Sequence, residues 1–253
     1  MSKTKNLLRE VKLKEDKNKS QILVRFFKTG KGEYGEGDKF LGITVPESRK
    51  LAQKYSDLDF KEIEKLIKNK YHEIRLIAIL ILVHKYKNIN SSLIRSNKIE
   101  NKEKIVKFYL KNTKYINNWD LVDLSSHYIL GDYLFHNKTL SKKILEKLAK
   151  SKNLWERRIA IVSTFAFIYK GQPDWTFKIV KILLNDKEDL IHKACGWMLR
   201  EVGKRISKTK LKEFLDFYEP RMPRTMLRYS IERFSKEERE IYLNKKTHRS
   251  EYF

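Results

Sequence analysis

The chain has 253 residues, 41% of them hydrophobic and 12% aromatic, which is enough to bury a core in one large or two small domains and excludes wholesale disorder. Lys and Arg number 56 against 32 Asp and Glu, a net charge of +24 that fits a polyanionic partner, nucleic acid first, although general lysine enrichment would account for part of the excess. Cys195 is the only cysteine, which excludes an intramolecular disulfide and a cysteine-based zinc site, and no apolar run approaches the ~18 residues that a membrane span needs.

In chain order, the opening MSKTKNLLREVKLKEDKNKS lacks the apolar centre of a secretory signal, so the expected setting is cytoplasmic, nucleoid-associated in a prokaryote. QILVRFFK then reads as the end of a helix. It leads into FKTGKGEYGEGDKF (27–40), where Gly30, Gly32 and Gly35 spell G-x-G-x-x-G. A dinucleotide fingerprint needs a strand before it and a helix directly after it. Here a helix precedes, and the next helix waits for Pro46. The kinase version fails too, because Gly37 stands where that pattern wants Val and no H-R-D or D-F-G occurs. A structural turn is the favoured reading over a phosphate cradle, and no nucleotide cofactor is expected.

Helical periodicity governs the remainder of the chain. LDFKEIEKLIKN, YHEIRLIAILILVHKYK, IVKFYLKN, LSKKILEKLAK and WTFKIVKILLND all repeat apolar residues at three-and-four spacing. Pro46, Pro173, Pro220 and Pro223 mark helix edges, and Asp59–Glu62 and Ser235–Glu238 have capping-box spacing. The pattern predicts about a dozen helices of roughly ten to sixteen residues joined by short connections. HEIRLIAILIL (72–82), WERRIAIVSTF (155–165) and IHKACGWMLRE (191–201) resemble one another, each a helix expected to bury one side. With helix pairs recurring about every 35–40 residues, the expected fold is all-α, a right-handed solenoid of HEAT-like antiparallel helix pairs with a concave basic face. It is read as one domain over 1–253, with 1–20 and 246–253 expected to be less ordered.

INNWDLVDLSSHYILGDYLF (116–135) carries the chemistry. Trp119 and Asp123 are four apart and share one face of a helix. An indole face beside a carboxylate can grip a cation. Asn117, Asn118 and Asp120 are good helix caps, so Asp120 has a ready structural role. Asp123 is expected a turn inside the helix, where Asp has poor propensity. His127 lies four past Asp123, and an ordinary hydrogen-bonded histidine is favoured there over a general base. The histidines show no metal-ligand spacing, so no metal is expected.

WDLVD, WERRIAIVSTF and HKACGWMLREVGKR, in that order, resemble the AlkD-type DNA alkylation repair glycosylases. The resemblance runs from about Phe26 to Tyr242 and takes in the glycine loop, FLGITVPESR and MPRTMLRYSIERF. It implies a HEAT-like repeat enzyme in which Trp119, Asp123, Arg158 and Trp197 form the site, with Arg157 left open as the alternative arginine. It also implies a monofunctional glycosylase acting on positively charged N3- or N7-alkylated purines in duplex DNA, with no tight base pocket. The candidate phosphate contacts are Arg157, Lys193, Lys204, Arg205, Lys208 and Lys210. Trp155 and Trp175 have no counterpart and are read as packing residues. The expected partner is duplex DNA with alkylated bases, bound by a monomer. The rival readings are a non-catalytic DNA-binding relative and a protein-interaction scaffold.

Overall fold

A computed structural model describes residues 2–89 and 96–244; the tail 246–253, expected to be less ordered, lies outside the described residues. The expected all-helical class is what forms. Among the described residues, extended backbone pairs only at an isolated bridge between Lys39 and Tyr71. Helices run from five to eighteen residues, a wider spread than the periodicity predicts. The short ones cluster where serine, asparagine and proline interrupt the apolar pattern. The chain forms two compact units, Met1–Tyr133 and Leu134–Phe253.

The first unit is organised around the helix His72–Ile89, against which Val45–Lys54 and Phe60–Ile67 pack. The sequence suggested one buried side. Every residue from His72 through Val83 is buried instead, because the run Leu76–Val83 has no polar stripe and is covered all round. Local caps set the helix starts. Asp59 and Glu62 form the expected capping box, and Thr44 and Glu47 form a second, not singled out from the sequence. Near the N-terminus, Lys3–Leu13 and Lys17–Phe26 begin at Ser2 and Asp16, whose side chains accept from Lys5 N and Lys19 N.

In the second unit, Leu154–Ser163 packs between Lys138–Ala149 and Asp189–Arg205, and the last of these carries Lys208–Tyr218 and Arg224–Ser230. The glycine in HKACGWMLRE has a packing reason. A Cβ on Gly196 would lie 2.5 Å from both the Met226 carbonyl oxygen and the Tyr229 Cβ. Only a missing side chain lets the Arg224–Ser230 helix approach that closely. Pro173 and Pro223 occupy the N-cap positions of Asp174–Ile182 and Arg224–Ser230, at edges as expected. Cys195 is buried, and burial pushes its thiol well above the usual range.

Candidate functional site

The glycine loop is built from its own acids. Gly30 N donates to Glu33 Oε2 at 2.8 Å and Gly32 N to Glu36 Oε2 at 2.9 Å. The amides that would cradle a phosphate are therefore occupied by carboxylates of the same loop. Gly32 sits at φ +79°, and a Cβ on Gly35 would lie 2.4 Å from the Phe27 carbonyl oxygen, so the turn itself demands glycine.

The loop ends at Asp38, and Asp38 reaches the candidate site. Trp119 and Asp123 are the first and last residues of a five-residue helix, both partly exposed. Asp123 thus closes the helix rather than sitting inside a longer one. The chain turns at Leu124 and Ser125 and continues, from Ser126, as a single π-type turn over His127–Gly131. Ser125 causes the break: its hydroxyl donates to the Leu121 carbonyl at 2.6 Å and lies 2.9 Å from the Tyr109 hydroxyl, competing with the helical ladder. Burial, and after it the nearby Lys87 ammonium, push His127 down to about 4 against a raising hydrogen bond to the Asp123 backbone. So weak a base suits a structural histidine better than a general base. Lys87 itself lies 3.4 Å over the Tyr128 ring and is held below the usual lysine range, chiefly by burial and then by Arg49.

A buried polar cluster anchors the short helix. His72 Nε2 lies 2.8 Å from Asp120 Oδ2, and its Nδ1 lies 3.3 Å from Asp38 Oδ2. Arg75 donates to Asp38 Oδ1 at 2.6 Å, and Asn118 Nδ2 donates to Asp38 Oδ2 at 3.3 Å. Asn118 Oδ1 in turn accepts from Trp119 N at 2.8 Å and caps the helix. The His72 ring packs beside Phe27 and Phe40, with centroids 4.9 and 4.8 Å away; those two rings stack on each other at 5.0 Å, and Phe27 also stacks on Trp119 at 5.3 Å. Burial opposes a charged His72, yet the charge and hydrogen bond of Asp120 and the hydrogen bond of Asp38 outweigh it, raising the ring to about 9 with Arg75 resisting. Burial likewise opposes ionised Asp38, and His72 and Arg75 hold it below the usual carboxylate range.

In the second unit, Arg158 is buried on the Leu154–Ser163 helix and donates to the Leu190 carbonyl at 2.6 Å. Trp197, partly exposed on Asp189–Arg205, lies 5.8 Å from Phe165. The neighbouring arginines are used differently. Arg157 grips Asp186 through Nε at 2.6 Å and the Ser151 and Lys152 carbonyls at 3.0 Å, which engages its guanidinium inside the protein. Lys193, Trp197 and Lys204 fall at intervals of four and seven, so they share one helix face. Lys193 pairs with Asp189, Arg205 with Glu201, and Lys208 with Glu238, each at 2.7 Å; Lys204 and Lys210 are exposed. Trp155 is buried, as a packing residue should be, and Trp175 is partly exposed under Lys178.

The model of a family described as DNA alkylation repair enzyme matches residues 7–234. The chain belongs to that family. A solved structure described as "Predicted DNA alkylation repair enzyme from Enterococcus faecalis" is similar in fold, with a TM-score of 0.66 at 18% identity over 88% of this chain and 98% of that one. No curated protein matches the chain. Family membership gives the chain a role in DNA repair, and the resemblance carried by WDLVD, WERRIAIVSTF and HKACGWMLREVGKR agrees with it. No helix among the described residues is long and apolar enough to cross a membrane.

Sequence reasoning missed the residues that hold the short helix: Asp38, His72 and Arg75. His72 and Arg75 belong to a segment that reads chiefly as apolar, and Asp120 reads as a cap. Three ionisable residues, His72, Glu73 and Arg75, at the start of a segment that is otherwise apolar through Val83 were the available signal, because buried charges need partners.

Proposed function

We propose that this member of the family is a monofunctional DNA glycosylase that releases positively charged N3- or N7-alkylated purines, of the 3-methyladenine and 7-methylguanine type, from duplex DNA. The observation that supports this most is the pairing of Trp119 with Asp123 on one short helix, both partly exposed and with the Trp end firmly held. An alkylated purine already carries the positive charge that makes it a good leaving group, so no general acid is required. As the C1′–N bond breaks, its electron pair returns to the base and positive charge builds on the deoxyribose. A fixed carboxylate opposes that charge and holds the water that adds to C1′, whose proton then passes to solvent. Asp123 is the candidate for this role. The indole faces of Trp119 and Trp197 suit contact with the sugar and the cation. With Arg157 committed to Asp186, the buried Arg158 is the better match to the family's site arginine. The exposed Lys204 and Lys210 suit salt-sensitive, sequence-independent phosphate contacts. The reading includes a monomer and no cofactor.

The test is release of free base from a duplex carrying one 7-methylguanine, with enzyme in excess. Release leaving an intact abasic strand is expected. Tight binding with no release would favour a non-catalytic DNA-binding protein, and absence of DNA binding at low salt would favour a protein scaffold.

A further inference from the structure

We propose that His72, as an imidazolium bridging Asp38 and Asp120, is the positioning residue that fixes the Trp119–Asp123 helix against the glycine loop. The proposal depends on the glycosylase reading only for its activity readout. Five residues make too few hydrogen bonds to hold a helix in place unaided. Its orientation must come from anchors, and three consecutive residues supply them. Asn118 donates to Asp38, Trp119 stacks on Phe27, and Asp120 meets His72. Two of these partners converge on His72, because Phe27 and Asp38 both contact its ring.

The hydrogen-bond inventory decides the form of the ring. Both ring nitrogens face carboxylate oxygens, at 2.8 and 3.3 Å. A neutral imidazole offers one donor and one acceptor, so one nitrogen would then confront a carboxylate lone pair to lone pair. The imidazolium donates on both sides. Charge gives the same answer: the cluster holds two carboxylates, and its one guanidinium, Arg75, pairs with Asp38, so a second cation is needed to balance Asp120. The groups facing the ring are Asp38 from the loop, Asp120 from the short helix, Arg75 from its own helix, and the uncharged Phe27 and Phe40. Glu73, its neighbour, points away and accepts from the amides of Leu41, Gly42 and Ile43. Losing the ring's second proton would turn one bridge repulsive and free the Trp119 end of the helix. A displacement of about 1 Å in a reacting group can cost roughly 100-fold in rate.

The test uses the full chain. Nitrogen-labelled His72 should show two ring N–H protons at pH 7.5, and the Trp119 indole N–H resonance should shift as pH rises through about 9. In His72→Gln that Trp119 transition should vanish. The variant's single-turnover base release should fall about 10- to 100-fold with DNA affinity within about threefold. A single ring N–H at pH 7.5, or a folded His72→Gln with the wild-type Trp119 titration and release rate, would overturn the proposal. If His72→Gln does not fold, the wild-type titration decides alone: a Trp119 resonance indifferent to His72 ionisation refutes it. Should the wild type release no base while Trp119 still follows His72, the glycosylase reading fails and the positioning role stands.

Discussion

In the first unit an imidazole ties a loop carboxylate, Asp38, to the helix that carries Trp119 and Asp123. In the second unit a guanidinium does comparable work: Arg157, on the Leu154–Ser163 helix, holds Asp186 and the carbonyls of Ser151 and Lys152. Both devices join a base near the start of a central helix, buried at His72 and partly exposed at Arg157, to an acid on a connecting segment. They differ in the base. A guanidinium keeps its charge at every accessible pH, whereas an imidazole between two carboxylates loses its proton within reach of ordinary buffers. One fold thus contains a permanent anchor and a titratable one, and the titratable one holds the candidate catalytic helix.

The largest expected effect separates anchoring from DNA contact. Arg157→Ala leaves the largely buried Asp186 carboxylate without its guanidinium, with the Glu188 amide still donating to it, and should cost on the order of 3 kcal/mol of stability. Chemical denaturation measures this. If the variant instead keeps wild-type stability and binds DNA with a shallower salt dependence, Arg157 is a phosphate contact and the comparison between the two anchors breaks.

Next in size is the pH dependence. The His72 pKa is raised from 6.5 to about 9, so its stabilising contribution is fully present below about 6.5 and is lost as pH rises through about 9. The difference corresponds to a few kcal/mol. Thermal unfolding of the wild type should therefore move to lower temperature between pH 7.5 and pH 10. His72→Gln should show a smaller shift over that window, and Arg157→Ala should retain the full wild-type shift. Equal shifts in all three proteins would remove the distinction between the anchors.

The smallest effects concern the exposed lysines. Lys204→Ala and Lys210→Ala should each weaken DNA binding several-fold at low salt and lower the salt slope by about one, with stability unchanged. Fluorescence anisotropy over a salt series reads both quantities. A loss of stability with an unchanged slope would move these residues to the structural side.

The all-helical class was legible in the sequence because apolar spacing, caps and prolines act locally: Asp59–Glu62 and the four prolines fall at helix edges. The pairing of Trp119 with Asp123 was legible for the same reason, four residues being one turn. The length of that helix was not, because Ser125 ends it through a hydroxyl bond to Leu121 that competes with the ladder. Nor was the anchor legible. Asp38, His72 and Asp120 are separated by 34 and 48 residues, and only tertiary packing brings them together. G-K-G-E-Y-G matches a phosphate-loop pattern, but its helical context favoured a structural turn, and the Gly30 and Gly32 amides hold Glu33 and Glu36. Arg157 and Arg158 look interchangeable in WERRIAIVSTF, and only their partners tell them apart.

The most direct measurement of the central claim is single-turnover release of 7-methylguanine from duplex DNA by wild type and Asp123→Asn at equal DNA occupancy. The account predicts release by the wild type and a loss of roughly 100-fold or more in the variant, the cost of removing a fixed charge from a developing cation. Release by Asp123→Asn at the wild-type rate would contradict it.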